Sequence, residues 1–268
     1  MDQLPHLSLA TYVVEPIPAH RYTLILLHGL GSNGEKFGKE LLETGKASVG
    51  RTLAQLLPGA HFVFPTAKWR RSSAFRRSLL TQWFDIAPIL RQELAEVASP
   101  QNLILGWLSQ GCGMSLSLLL ALEGPLAGFI GMCGYLPFQR DVENAIKNDA
   151  IGIDEDDPFA VAKDQVPEPP AVRAQIFERD LLRLHPFPDL AVDKTARVTP
   201  VFLGHGELDQ KKPYVLAEAA ARTLQAADYD VTWKLYPSLG HWYRIPDEIN
   251  DIVEFIRTNV GWELVDQE

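Results

Sequence analysis

Asn102-Leu-Ile-Leu-Gly-Trp-Leu-Ser109-Gln-Gly-Cys-Gly-Met-Ser115 is the stretch that decides how this chain folds. An apolar strand runs into a Ser-Gln-Gly turn, and an apolar helix follows at once. A serine on a sharp strand-to-helix turn has its hydroxyl lifted clear of the sheet edge. There a base can reach it from one side and a substrate from the other. The usual pattern for such a turn is G-x-S-x-G. Here the residue two before the serine is Trp107, and the glycine stands one place earlier, at Gly106.

On either side of this turn, short apolar runs alternate with helical patterns. That alternation predicts an α/β fold, a mostly parallel sheet with helices on both faces. Strands are expected at 22–27, 61–64, 102–105, 126–132, 198–203 and 231–235, with 7–14 as an antiparallel edge strand. Helices are expected at 37–57, 86–97, 110–122, 213–227 and 246–260. The last opens Pro246-Asp-Glu, with proline preset for a first turn and acids facing the helix N-terminus. Residues 86–101 barely allow the dozen residues that a parallel crossover needs. By contrast, 138–197 is a long insertion, acidic at Asp154-Glu155-Asp156-Asp157 and rich in proline at 167–170. Its segment 171–185 reads as a helix. Long spans in compact domains tend to be functional or disordered, so the insertion is either a disordered surface segment or a cap over the site; its apolar helix favours the cap, with Ile176, Leu181 and Leu184 facing the bound substrate or the core.

The chain has 268 residues, 46% of them hydrophobic and 22% charged, which suits a single α/β domain with one sizeable core. Its net charge of −9 argues against nucleic acid or an anionic membrane surface as partner. Cys112 and Cys133 lie in apolar segments and lack metal-ligand spacing, so neither a disulfide framework nor a metal is expected. Residues 1–9 do not read as a signal peptide. The apolar runs are too short to span a bilayer. A cytoplasmic protein is the expectation; oligomeric state is not legible.

A serine nucleophile needs a neighbouring base, itself oriented by a third group. On this architecture the chain order is Ser, then Asp or Glu, then His. His241 is the best base, because it follows a strand and a turn and so hangs at the carboxyl edge of the sheet. His185 lies in the insertion. His205 ends a strand and reads as a structural group held in a tight turn. Asp209 stands just past the same strand, with Glu207 as the fallback carboxylate. The strand 22–27 ends in His28-Gly-Leu-Gly-Ser-Asn-Gly34, a glycine-rich turn able to aim backbone N–H groups at an oxyanion. A phosphate cradle is the other reading, but the Lys-Ser/Thr ending of a P-loop is missing.

Taken together, these residues resemble the phospholipase/carboxylesterase group of α/β-hydrolases, which includes the acyl-protein thioesterases, and fungal members in particular. The blocks that carry the resemblance run from Leu27-His-Gly-Leu-Gly-Ser-Asn-Gly through Phe64-Pro-Thr-Ala-Lys and Gln82-Trp-Phe-Asp85. They continue with Ile104-Leu-Gly-Trp-Leu-Ser-Gln-Gly, Gly204-His-Gly-Glu-Leu-Asp209 and Tyr236-Pro-Ser-Leu-Gly-His-Trp242. The resemblance implies an α/β-hydrolase fold with Ser109 as nucleophile, Asp209 as orienting acid and His241 as base. It also implies an oxyanion hole from the N–H groups of Leu30 and Gln110, and no cofactor or metal. The substrates implied are small-molecule carboxylic esters and thioesters. Trp83, Trp107 and Trp242 are expected to line the substrate pocket.

Trp107 replaces the family's glycine at a crowded, strained turn. An indole there either fills space that its neighbours leave open or pushes the elbow out of shape. With all three triad positions intact, the first reading is favoured, and an esterase acting on esters, lactones or thioesters is the expected function. An acyltransferase or cyclising thioesterase would use the same triad. A catalytically impaired binding protein is the reading that a distorted elbow would bring.

The run Lys68-Trp-Arg-Arg-Ser-Ser-Ala-Phe-Arg-Arg77 stands out in an acidic chain. It is either a solvated face or a basic lip that attracts an anionic substrate. If it is a lip, neutralising Arg70, Arg71, Arg76 and Arg77 will lower kcat/KM for anionic esters and flatten its salt dependence, sparing neutral esters. Equal losses on both substrate types would return the run to an ordinary solvated face.

Overall fold

A computed structural model describes residues 11–17, 19–71, 79–83, 99–147, 168–184 and 191–265. Its centre is a seven-stranded sheet in the order β1-β3-β2-β6-β7-β8-β9. The strands are β1 (Tyr12–Val14), β2 (Tyr22–Leu27), β3 (Ala60–Phe64), β6 (Leu103–Leu108), β7 (Gly128–Met132), β8 (Val201–Gly206) and β9 (Val231–Tyr236). All neighbours pair in parallel except β1, which runs antiparallel to β3. A separate hairpin joins β4 (Trp69–Arg71) to β5 (Leu79–Thr81). The inner strands are near-continuous apolar runs because both faces of a parallel sheet are covered.

One face packs under α3 (Gln110–Ala121), α4 (Gln139–Lys147), α5 (Pro170–Leu181) and α6 (Tyr214–Ala226). The other packs under α1 (Gly34–Thr44), α2 (Leu53–Leu56) and α7 (Asp247–Phe255). Every residue of α3 is buried, as a helix apolar all round must be. Among the described residues no helix is long and apolar enough to cross a membrane.

Several expectations are corrected. The helix expected at 37–57 is two helices, since α1 ends at Gly45 and α2 restarts behind a Thr52–Gln55 capping box. That box satisfies N–H donors at the new helix start, and the apolar period alone did not reveal the break. The helix at 246–260 is regular only to Phe255 and then widens into a π-turn over Ile256–Val260. The helix expected at 86–97, residues 7–10 of the edge strand and residues 72–77 of the basic run lie outside the described residues.

Within the insertion, α5 ends at Leu181 rather than 185, and His185 is outside the described residues. Ile176 and Leu181 are exposed, contrary to expectation. The helix instead turns Val172, Ala174, Gln175 and Glu178 inward. Gln175 Nε2 donates to Leu122 O, and Arg179 Nη1 donates to Ala121 O at 3.0 Å. Polar side chains of α5 thus satisfy carbonyls at the end of α3 far from Ser109, where a helix leaves acceptors without intrahelical donors. This helix extends the covering layer of the sheet.

Glu178 is fully buried at the α5–α3 contact, and burial pushes its pKa up to about 8, with Ser117 acting the other way. Folded protein therefore keeps a proton that an unfolded chain, with its carboxyl near 4.5, releases. The stability this group supports is complete below pH 4.5 and is lost as pH rises toward 8, by about 1.4 kcal/mol per unit. Glu178→Gln will therefore be more stable than the parent at pH 8, with the gap closing at pH 5, in urea unfolding followed by circular dichroism. A gap independent of pH would refute this.

Candidate active site

Ser109 ends β6 and starts α3 with φ 57° and ψ −118°. This is a strained backbone region for a residue with a side chain. Two bonds hold it: Ser109 N–H donates to Met132 O on β7 at 2.8 Å, and Gly113 N–H donates to Ser109 O at 3.0 Å. Two glycines create the room. A Cβ on Gly111 would fall 2.3 Å from Leu27 O, and one on Gly106, at φ 158°, would fall 1.8 Å from Ile130 O. No other residue fits either place without moving backbone.

Gly106 also explains Trp107. Leu103 and Leu105 face the α3 side, and Ile104 faces the other. Strict alternation would send the indole to the α3 side. Instead Trp107 and its neighbour Leu108 both pack with Ile104 in the core beneath α1 and α7. The alternation breaks at Gly106, and the elbow keeps its shape.

The loops after β8 and β9 bring in the other two residues. His241 Nε2 lies 2.9 Å from Ser109 Oγ, and His241 Nδ1 lies 2.6 Å from Asp209 Oδ2. The Asp209 side chain is fully buried. Its Oδ1 accepts N–H bonds from Lys211 and Lys212 at 2.8 and 2.9 Å. Burial raises its pKa, but the Lys212 N–H, the His241 imidazole and the Lys211 N–H together hold the carboxyl below its usual value. Glu207, the fallback, is exposed and, among the described residues, accepts a long bond from Ser238 N–H at 3.4 Å.

The turn after β2 is clamped by groups that sequence reasoning did not assign. His28 is fully buried, and burial pushes its pKa down to about 4. It is thus a neutral imidazole whose Nδ1–H donates to Gly29 O at 2.7 Å, while Nε2 accepts Ala67 N–H at 3.0 Å. Trp83 Nε1–H donates to His28 O at 2.7 Å, and Trp83 N–H donates to Gln110 Oε1 at 3.3 Å. From β5, Thr81 O accepts Gly31 N–H. Leu30 N–H and Gln110 N–H make no hydrogen bond among the described residues. The Gln110 N–H opens α3, where the helix supplies no acceptor.

Trp83 and Trp107 are corrected as pocket walls, being 1% and 0% exposed. One clamps the β2 turn and the other fills the core. Trp242 is half-buried beside His241 and stacks on Tyr243. A groove of about 390 Å³ opens beside the segment after β7, between Tyr135, Leu136, Phe138, Arg140, Leu216 and Ala219.

Cys133, His205 and Asp209 bring a thiol, an imidazole and a carboxylate within 4.8 Å of one another. A metal does not suit them. His205 Nε2 faces Asp209 Oδ2 at 3.1 Å and Lys212 O at 2.8 Å. Lys212 O is only an acceptor, so this nitrogen carries a proton. The Cys133 thiol is kept protonated by burial and donates to Trp242 O at 3.3 Å, and both Asp209 oxygens already accept hydrogen bonds.

A family model described as Phospholipase/Carboxylesterase matches residues 9–90, 86–153 and 182–260, and the chain belongs to that family. It is an α/β-hydrolase of carboxylesterase or thioesterase type. It is 22% identical to acyl-protein thioesterase 1 of Gibberella zeae, over 93% of this chain and 95% of that one. The Saccharomyces cerevisiae protein of the same name is 23% identical over 93% and 97%. The crystal structure of Zea mays acyl-protein thioesterase 2 superposes with a TM-score of 0.62 at 23% identity, covering 94% and 99%.

The indole of Trp107 fills core volume, yet its Nε1–H has no acceptor among the described residues. Trp107→Ala will therefore cost about 3–5 kcal/mol in unfolding experiments, the range for truncating a buried tryptophan. Trp107→Phe keeps most of the volume and removes the orphaned donor, so its loss will be far smaller. Equal losses would mean that ring shape, not volume, is what the site requires.

Proposed function

We propose that this chain is a serine hydrolase that cleaves small to medium acyl esters, lactones or thioesters through an acyl-enzyme on Ser109. The observation that carries this reading is the unbroken line from Ser109 Oγ through both nitrogens of His241 to Asp209 Oδ2, at 2.9 and 2.6 Å. Asp209, ionised and buried, accepts a hydrogen bond from Nδ1–H and so leaves the Nε2 lone pair as the base. As Oγ attacks the acyl carbon, Nε2 takes the hydroxyl proton and the carbonyl oxygen becomes an oxyanion. The N–H groups of Leu30 and Gln110 are its proposed donors, supported by the clamps on both turns. When the tetrahedral species collapses, His241 gives the proton to the departing alcohol or thiol. Water then repeats the sequence on the acyl-enzyme and restores Ser109.

Acyl-protein thioesterases among the relatives support thioesters as part of the substrate range. For the apolar part of a substrate, the groove beside Tyr135, Phe138 and Leu216 is the proposed seat. An undistorted elbow favours an active enzyme over a binding protein. Transfer to an alcohol or amine would use the same triad, and product analysis separates it from hydrolysis.

A fluorophosphonate probe reacts only with an activated serine. The parent protein will be labelled and Ser109→Ala will not. Asp209→Asn will lose about 10⁴ in turnover, because the amide favours the wrong imidazole tautomer. Full labelling of Ser109→Ala would sink the assignment.

A further inference from the structure

His205 is fully buried at the end of β8 and takes no part in the triad just described. Its Nε2 lies 3.1 Å from Asp209 Oδ2, the same oxygen that accepts His241 Nδ1. Lys212 O, 2.8 Å from that nitrogen, fixes the proton there. The tautomer is therefore set by a carbonyl that Asp209 itself helps to place, since Asp209 Oδ1 accepts Lys212 N–H. The other nitrogen, Nδ1, has no partner among the described residues. Burial lowers the tendency of His205 to take a second proton, and the Lys212 carbonyl and Asp209 only partly offset this.

We infer that His205 is a positioning residue for the proposed reaction, a second neutral imidazole that holds the orienting carboxylate. A carboxylate can rotate about its Cβ–Cγ bond and offer His241 either oxygen in several directions. Two N–H groups on Oδ1 and one from His205 on Oδ2 leave a single orientation, with Oδ2 aimed at His241 Nδ1. The bond from His205 also draws charge from Oδ2, which weakens the hold of Asp209 on the His241 proton. The ionisable side chains facing this cluster are His241 and the Cys133 thiol, with Glu248 behind Cys133; Lys211 and Lys212 meet it through their backbone, and Lys212 Nζ lies over the Tyr135 ring instead. Both Cys133 and Glu248 are raised by burial, so neither supplies charge at neutral pH.

The inference rests on the triad reading, and labelling of the parent enzyme at Ser109 tests that reading separately. In His205→Leu, kcat on a soluble ester will fall roughly 10- to 100-fold, as for loss of a group that orients a reacting residue. KM will stay unchanged. The acid limb of the kcat/KM profile will move to higher pH, because Asp209 then holds the His241 proton more firmly. His205→Gln, whose amide nitrogen reaches the Nε2 position, will recover most of the loss. His205→Asn, one bond shorter, will not. In an Asp209→Ala background, His205→Leu will cause no further loss of labelling rate, since it acts only through Asp209. If His205→Leu does not fold, the Gln and Asn pair decides alone. A folded His205→Leu with parental kcat and limb would overturn the inference, as would Gln and Asn variants equally impaired with an unmoved limb.

Discussion

The backbone at Ser109 is the constraint on which the rest of the site depends. With φ 57° and ψ −118°, this residue is held where few side-chain-bearing residues rest, and its neighbours must over-determine it. They do so by bringing backbones close together. Gly111 lets α3 press on the end of β2, and Gly106 lets β6 press on β7. The first contact brings the opening N–H groups of α3 up to the turn after β2. The second goes with the turn of Trp107 to the face beneath α1 and α7. Ser109 then stands at the carboxyl edge of a central strand, between the turn after β2 and the loops after β8 and β9. In open parallel sheets that edge is where ligands bind.

Around this strained point the polar groups are satisfied in a particular way. Asp209 is a buried anion, and such a charge is costly unless hydrogen bonds compensate for lost water. Two backbone N–H groups and two imidazoles do so. The turn after β2 is handled by a neutral group instead. His28 is dry enough to stay uncharged and works as one donor and one acceptor, linking Gly29 to Ala67. Buried histidines thus brace both sides of the site, while the His241 side chain is partly open to solvent.

The strand–turn–helix order was legible because a buried parallel strand is a plain apolar run and the turn has a fixed chemistry. Ser109, Asp209 and His241 stood out for the same reason: each lies at or within a few residues of the carboxyl end of a strand, where side chains converge. The break between α1 and α2 was not, because a short capping box interrupts a helical pattern without altering its apolar period. The orientation of α5 was missed too. Apolar count favoured Ile176 and Leu181 as inward residues, but the helix docks through Gln175 and Arg179, whose partners include carbonyls more than fifty residues away, with Glu178 buried on the same side.

The sequence by itself determined the fold class, the elbow, the chain order of the three chemical residues and the glycine-rich turn. These are local properties, written in strand periodicity and turn residues. Only the tertiary structure decided what the tryptophans do and how the histidines divide their roles. Trp107 could fill space or distort the elbow, and the choice rested on a break in alternation at Gly106 that only the packing of β6 against β7 produces. His205 read as a turn residue until the fold placed its Nε2 and His241 Nδ1 on one oxygen. Burial and hydrogen-bond partners are set by groups distant in the chain, so no local pattern encodes them.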